Sequence, residues 1–253
     1  MKTIIITGAG SGMGRATAIE LSNQDAQIVL IGRRENALIE TKKMLNKSNE
    51  HLHLAVDICN ANDLKTGFEY LNLRNKNVCA LFANAGIGGE NHYGKEDRWN
   101  EILNINLTGT YNSIQESLPF LRKSEESHKH ILMTSSCLAR FGVPNYTAYC
   151  TSKAGLLGLT KSLALELASD NILVNSLCPG WVETEMAQAG IQKLADHQNQ
   201  DYDSTYKEQM GYVPLGRMSD PEEIAHFVAF MFSKAQRSIT GQGLDLNNGS
   251  FMI

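Results

Sequence analysis

Short apolar runs rich in β-branched residues recur along the chain, with helix-like stretches between them. The runs predict seven strands, at residues 3–7, 27–31, 51–56, 78–82, 130–134, 173–178 and 243–246. The intervening stretches predict helices at 13–23, 35–47, 62–72, 98–122, 149–168 and 221–232. Strands this apolar belong in a parallel sheet buried on both faces, so the pattern predicts an α/β doubly wound sheet in a single domain over residues 1–253. The last helix has a clear start: Ser219 or Asp220 as cap, Pro221 in the first turn, then Glu222 and Glu223 to complement the dipole. One segment breaks the alternation. Residues 185–213 are polar and rich in Gln, Asp and Tyr, and read as a mobile or partly helical lid.

Composition narrows the partners. With 23 Lys and Arg against 27 Asp and Glu, and no basic block, nucleic acid is not expected. The opening run Ile4-Ile5-Ile6 is too short for a signal-peptide core or a membrane span, so a cytoplasmic protein with no membrane partner is expected. The five cysteines (Cys59, Cys79, Cys137, Cys150, Cys178) show no C-x-x-C pair and read as reduced thiols, and the seven histidines do not cluster with acids, so no metal site is expected.

The first strand runs into Thr7-Gly8-Ala9-Gly10-Ser11-Gly12-Met13-Gly14 and then a helix. Glycines there let the backbone turn sharply and let amides at a helix start face a pyrophosphate. The strict G-x-G-x-x-G spacing is not met; Gly8-x-x-x-Gly12-x-Gly14 remains. At the end of the second strand, where an NAD site places an acid for the ribose hydroxyls, stands Gly32-Arg33-Arg34. Two guanidinium groups and no carboxylate favour the 2′-phosphate of NADP(H), with NAD(H) less favoured; the alternative is that Arg33 and Arg34 are solvated charges neutralised by Glu35.

Further on, Ser135-Ser136 ends a strand, and Tyr149-Cys150-Thr151-Ser152-Lys153 places Tyr149 and Lys153 four apart on one helix face. An ammonium near a phenol favours phenolate, which makes the tyrosine usable as acid or base, and a serine hydroxyl can hold a substrate oxygen.

With these residues the chain resembles the short-chain dehydrogenase/reductase family, in its compact single-domain branch, over essentially its whole length. The matching positions are the glycine turn, Asp57, Asn84-Ala85-Gly86, Asn106, Ser136, Tyr149-x-x-x-Lys153, and Pro179-Gly180 followed by Thr184. The resemblance implies a Rossmann-type fold and an enzyme that interconverts a ketone and a secondary alcohol. It implies Tyr149 as general acid/base, Ser136 as holder of the reacting oxygen, Lys153 as the group that lowers the Tyr149 pKa and holds the nicotinamide ribose, and Asn106 as support for a water relay. Thirteen residues before Tyr149, the family spacing selects Ser136 over Ser135. It also implies cofactor contacts from Gly8, Ser11, Gly12, Met13 and Gly14, from Arg33 and Arg34, from Asp57 and Ile58 at the adenine, from Asn84, Ala85 and Gly86, and from Pro179, Gly180, Val182 and Thr184 at the nicotinamide. Read without the resemblance, Asn106 is a helix cap or kink, Asp57 a turn residue and Thr184 a cap of the lid helix.

The substrate side is expected from Cys137, Leu138, Arg140 and Phe141, from residues 143–146 and 88–93, and from Met186, Tyr202, Tyr206, Met210 and Tyr212 of the lid. Only Lys193 and Lys207 are cations on that lid, which does not signal a carrier-linked phosphopantetheine; Arg140 is either a carboxylate ligand or a surface ion pair. The expected partner is a small carbonyl or alcohol. The resemblance implies a homotetramer or homodimer built on the helices at 98–122 and 149–168 and the C-terminal strand, and the apolar end 251–253 suits a buried tail. Two rivals stand beside this reading: an NAD-dependent alcohol or 3-hydroxyacyl dehydrogenase, and a cofactor-sensing binding protein, which would not need Ser136, Tyr149 and Lys153 together.

Overall fold

The computed structural model describes residues 1–24, 26–47 and 50–252. Its centre is a sheet whose strands are closed to water on both sides: Ile5, Ile6, Ile28, Leu30, Leu81 and Phe82 are all fully buried. Among the described residues the strands are β1 (Lys2–Thr7), β2 (Ala26–Gly32), β3 (Leu52–Ala55), β4 (Asn77–Ala83), β5 (Lys129–Thr134), β6 (Ile172–Pro179) and β7 (Gly243–Leu246). They form one sheet in the order β3-β2-β1-β4-β5-β6-β7. Neighbouring strands pair in parallel throughout. The α/β class, the strand count and the Rossmann-type winding therefore stand as expected. After β1 the chain moves one way across the sheet to β2 and β3, and β4 returns to the other side of β1. The β1–β4 junction is thus the switch point, where carboxyl ends of strands leave a crevice.

The helices are α1 (Gly12–Ser22), α2 (Glu35–Met44), α3 (Ala61–Tyr70), α4 (Trp99–Leu103), α5 (Thr110–Leu121), α6 (Thr147–Glu166), α7 (Glu185–Gln198), α8 (Tyr202–Gly211) and α9 (Pro221–Met231). Two apolar layers clamp the sheet. One joins Phe68, Ile114, Leu118 and Leu156 to one face, and the other joins Leu21, Leu38, Ile224 and Val228 to the opposite face. The capping box of α9 uses Asp220 with Glu223 rather than Ser219.

Two expectations are corrected, and the helical alternative for the lid stands. The helix predicted at 98–122 is broken into α4 and α5 by a π-helical turn, Asn104–Gly109, that contains Asn106. The helix predicted from residue 149 starts two residues earlier, because the buried Asn91 side chain accepts from the Ala148 amide at 2.9 Å and from the Thr147 hydroxyl at 3.1 Å. The segment 185–213 is two capped helices around a small core of its own. Thr184 Oγ1 accepts from the Ala187 amide and Asp201 from the Ser204 amide, while Ile191, Met210 and Met218 pack together. At the other end, Phe251 stacks on Phe141 with centroids 5.7 Å apart, and Ile253 lies outside the described residues.

Candidate active site

The crevice at the switch point is floored by the glycine turn. Gly8 adopts φ +66°, and a β-carbon there would stand 2.8 Å from the Ala85 Cα, so the turn after β1 and the turn after β4 touch backbone to backbone. Gly14 lies one layer behind: a β-carbon on it would strike the Gly8 carbonyl and the Asn84 amide, which fixes α1 tightly on β1. Asn84 ties the strand ends together. Its amide donates to Thr7 Oγ1 (3.0 Å), its Nδ2 to the Thr7 carbonyl (3.2 Å), and its Oδ1 accepts from Thr134 Oγ1 (3.1 Å). The N-cap of α1 is Ser11, whose side chain makes no capping bond, so the first amides of α1 keep their donors for another acceptor.

The resulting cavity measures about 370 Å³ and is lined by Gly8, Ser11, Gly12, Met13, Arg33, Arg34, Asp57, Ile58, Asn84, Ala85, Gly86 and Thr184, all singled out in the sequence. It also takes in Gly10 of the glycine turn, the apolar Ala37, Leu38, Val56, Ile87 and Ile105, and the Glu185 carboxylate at the start of α7. Arg33 and Arg34 are exposed on its rim. Glu35 does not neutralise them: its carboxylate faces His53 Nε2 at 3.8 Å. The Arg34 guanidinium leans on Ser11 Oγ at 3.4 Å, and among the described residues neither arginine pairs with a carboxylate. Asp57 accepts from the Cys59 amide (2.9 Å) and so does serve as a turn residue, while its position keeps it on the cavity wall. These features fit a dinucleotide: bare amides and glycines for phosphates, and unpaired guanidinium groups beside the second strand for a further phosphate.

Beside this cavity lies the hydroxyl, phenol and ammonium set. The two serines at the end of β5 face different ways. Ser135 is buried and donates to the Lys153 carbonyl of α6 (2.8 Å), whereas Ser136 Oγ accepts from the Leu138 amide (3.1 Å) and stands near the Tyr149 phenol. Lys153, 3% exposed, donates from Nζ to the Thr134 carbonyl (2.8 Å) and sits 5.6 Å from the Tyr149 ring centroid. The Tyr149 phenol is pushed up to about 12 by burial, against a lowering influence of the nearby Ser136 hydroxyl, and the Lys153 ammonium is pushed down to about 8, again by burial. Tyr149 as a whole is half-buried. The expected lowering of the phenol by the ammonium is therefore not what this geometry gives: desolvation dominates both groups, and the lysine points to a carbonyl rather than to the phenolic oxygen.

Asn106 is fully buried. Its Nδ2 donates to the Ile87 carbonyl (2.9 Å) and to Ser152 Oγ (3.1 Å), and its Oδ1 accepts from the Ile87 amide (2.8 Å). A β-carbon on Gly86 would lie 3.1 Å from Asn106 Oδ1 and 3.4 Å from Lys153 Nζ, so the three residues meet at one point. Pro179 ends β6; Gly180 abuts Asn247, and the buried Val182 bridges to Ser219, which leaves Thr184 as the member of that group on the cavity wall.

On the substrate side, Tyr146 stands edge-on to Tyr149, with centroids 6.3 Å apart. Met186 of the lid reaches over: its Sδ is 3.2 Å from the β-carbon position of Gly88, which in turn is 3.9 Å from Tyr149 Cε2. Met210 does not face this space, because it is buried in the lid's own core, where Tyr202 and Tyr206 also pack. Arg140 is held by Asp245 (3.0 Å) and the Gly243 carbonyl (2.9 Å), the ion-pair alternative. Asn91, within the segment 88–93 expected on the substrate side, instead caps α6, and Ser152 shapes the site without having been singled out. Among the described residues no group of His, Cys, Asp or Glu is placed to hold a metal ion, and no helix is long and apolar enough to cross a membrane.

Comparison with known proteins gives the same picture. Residues 8–250 match a family model described as Enoyl-(Acyl carrier protein) reductase. A 3-oxoacyl-(acyl-carrier-protein) reductase of Aquifex aeolicus is 33% identical over 99% of this chain and 97% of its own. Among solved structures, a single-substitution variant of actinorhodin polyketide ketoreductase with NADPH superposes with a TM-score of 0.91 at 28% identity, covering 98% of this chain and 97% of that one. A 3-ketoacyl-(acyl-carrier-protein) reductase from Brucella melitensis complexed with NADH superposes with a TM-score of 0.85 at 26% identity, covering 99% and 98%.

Proposed function

The chain belongs to the short-chain dehydrogenase/reductase family, and from that premise we propose that it is an NADP(H)-dependent ketoreductase in which Tyr149 moves the proton. Ketone–alcohol oxidoreduction is the activity named for its relatives. The single observation that carries the reading here is that the Ser136 hydroxyl stands near the Tyr149 phenol while Ser135 is turned away onto α6. A carbonyl oxygen placed between those two hydroxyls receives two hydrogen bonds, which polarise it for attack at carbon.

The bound cofactor supplies the hydride. The glycine turn and the α1 amides hold its phosphates, Arg33 and Arg34 its 2′-phosphate, and Asp57 and Ile58 its adenine side, while Asn84 to Gly86 and Thr184 flank the path to the reacting end. Pro179, Gly180 and Val182 support that path from behind. Tyr149 gives its proton to the substrate oxygen as the alcohol forms. Burial raises its pKa, so the phenol holds its proton until the substrate oxygen takes it. Lys153 then restores the proton, and Asn106 holds the Gly86–Ile87 backbone against Lys153 and anchors the route by which water refills it.

The substrate is a small ketone. With Arg140 locked by Asp245, and Tyr146 and Met186 beside Tyr149, an uncharged, mainly apolar ketone fits better than an anionic one. Assembly as a dimer or tetramer through the faces of α5 and α6 belongs to the same proposal. The test is a panel of ketones, each assayed with NADPH and with NADH by loss of reduced-nicotinamide absorbance. Turnover with NADPH is expected; strict preference for NADH would favour an NAD-dependent dehydrogenase instead.

A further inference from the structure

Between Asn106 and Tyr149 runs a closed chain of hydrogen bonds whose middle member is Ser152. Asn106 grips both main-chain groups of Ile87, accepting from its amide at 2.8 Å and donating to its carbonyl at 2.9 Å. Its remaining Nδ2 hydrogen goes to Ser152 Oγ at 3.1 Å, and the Ser152 hydroxyl spends its one proton on the Tyr149 carbonyl at 2.8 Å. Both side chains are fully buried, so water cannot substitute for either partner. One end of the chain is the loop after β4 that walls the cofactor cavity, and the other is the first turn of α6. The π-helical turn around Asn106 brings its carboxamide to this point.

We propose that Ser152 is a positioning residue that locks the Tyr149 turn of α6 to the Ile87 loop, so that the proton donor and the cofactor wall keep one fixed separation. A hydroxyl is needed because the position must accept from an amide on one side and donate to a carbonyl on the other. Ser152 touches neither the cavity nor the phenol; it acts through Asn106 and the Tyr149 main chain. The consequence is specific to proton transfer. Loosening the turn leaves the phosphate and adenine contacts intact but lets the phenol drift from the substrate oxygen, and displacement of about 1 Å costs on the order of 10²-fold in rate.

The inference rests on Tyr149 being the proton donor, so Tyr149→Phe is assayed alongside. Ser152→Ala and Ser152→Cys are compared with the native enzyme for kcat and KM with NADPH and a turned-over ketone, for the solvent deuterium isotope effect on kcat, and for thermal midpoint. Both variants are expected to lose about ten- to hundredfold in kcat, with the KM for NADPH changed less than twofold and a larger solvent isotope effect, since proton transfer becomes the slow step. Native kcat and isotope effect in a folded Ser152→Ala, or a lowered kcat with unchanged isotope effect, would overturn the positioning role. If Ser152→Ala does not fold, Ser152→Cys, which preserves the volume, decides; failure of both to fold assigns Ser152 to the core and overturns the proposal. Native turnover in Tyr149→Phe removes the underlying mechanism, whereas loss there beside native kinetics in Ser152→Ala removes this inference alone.

Discussion

Lys153 donates to the Thr134 carbonyl at 2.8 Å, so the ammonium beneath the Tyr149 ring is tethered to the end of β5 rather than bonded to the phenol. Its pKa of about 8 makes it the group that changes charge in the working range, while Tyr149, at about 12, keeps its proton. Ketone reduction is therefore expected to fall as pH rises through about 8, where Lys153 can no longer resupply the proton. A pH profile of kcat should show that descending limb in the native enzyme, whereas Lys153→Arg, whose guanidinium keeps its proton, cannot resupply Tyr149 and should lose most turnover at every pH.

Cofactor choice is predicted to rest on Arg33 and Arg34. Each charge-assisted bond to a 2′-phosphate is worth about 1.5–3 kcal/mol, or about ten- to hundredfold in affinity. The double variant Arg33→Ala with Arg34→Ala should raise the KM for NADPH by at least about tenfold and leave that for NADH within a factor of about two. Parallel titration of the two cofactors checks this.

Much of this was legible beforehand, and the failures share a cause. Strands buried on both faces announce themselves as apolar runs, and Tyr149 with Lys153 is a spacing on one helix, so the sheet and the reacting set could be read locally. A kink at Asn106 is one reading of that residue, but the π-helical turn there is held by Ile87 and Ser152, and the early start of α6 depends on Asn91, 57 residues from the amide it caps. The lid helices carry local caps in Thr184 and Asp201 that their polar composition obscures. The pKa relation of Tyr149 and Lys153 differs from the expectation because adjacency is visible in a sequence and desolvation is not.

The glycine turn gives a stability prediction. Gly8→Ala imposes both a left-handed φ and a collision with the Ala85 backbone, so it should destabilise by about 2–4 kcal/mol and abolish NADPH binding. Urea unfolding and fluorescence titration of NADPH measure the two effects.

His130, buried against the Phe232 ring, has its pKa lowered from 6.5 to about 4 by burial. The native state thus resists protonation that the unfolded chain accepts. Stability contributed by the neutral imidazole is complete above pH 6.5 and is lost as pH falls towards about 4, by about 3 kcal/mol at most. Unfolding midpoints measured from pH 7 to pH 4 should drop less steeply in His130→Phe than in the native chain.

The central claim is that the Tyr149 phenol, beside Ser136, delivers the proton. Tyr149→Phe keeps the ring and its packing and removes only the hydroxyl. Single-turnover reduction of a ketone by the NADPH-loaded variant is predicted to slow by about 10²- to 10⁴-fold while NADPH binds with native affinity. Turnover at the native rate in that variant would contradict the mechanism.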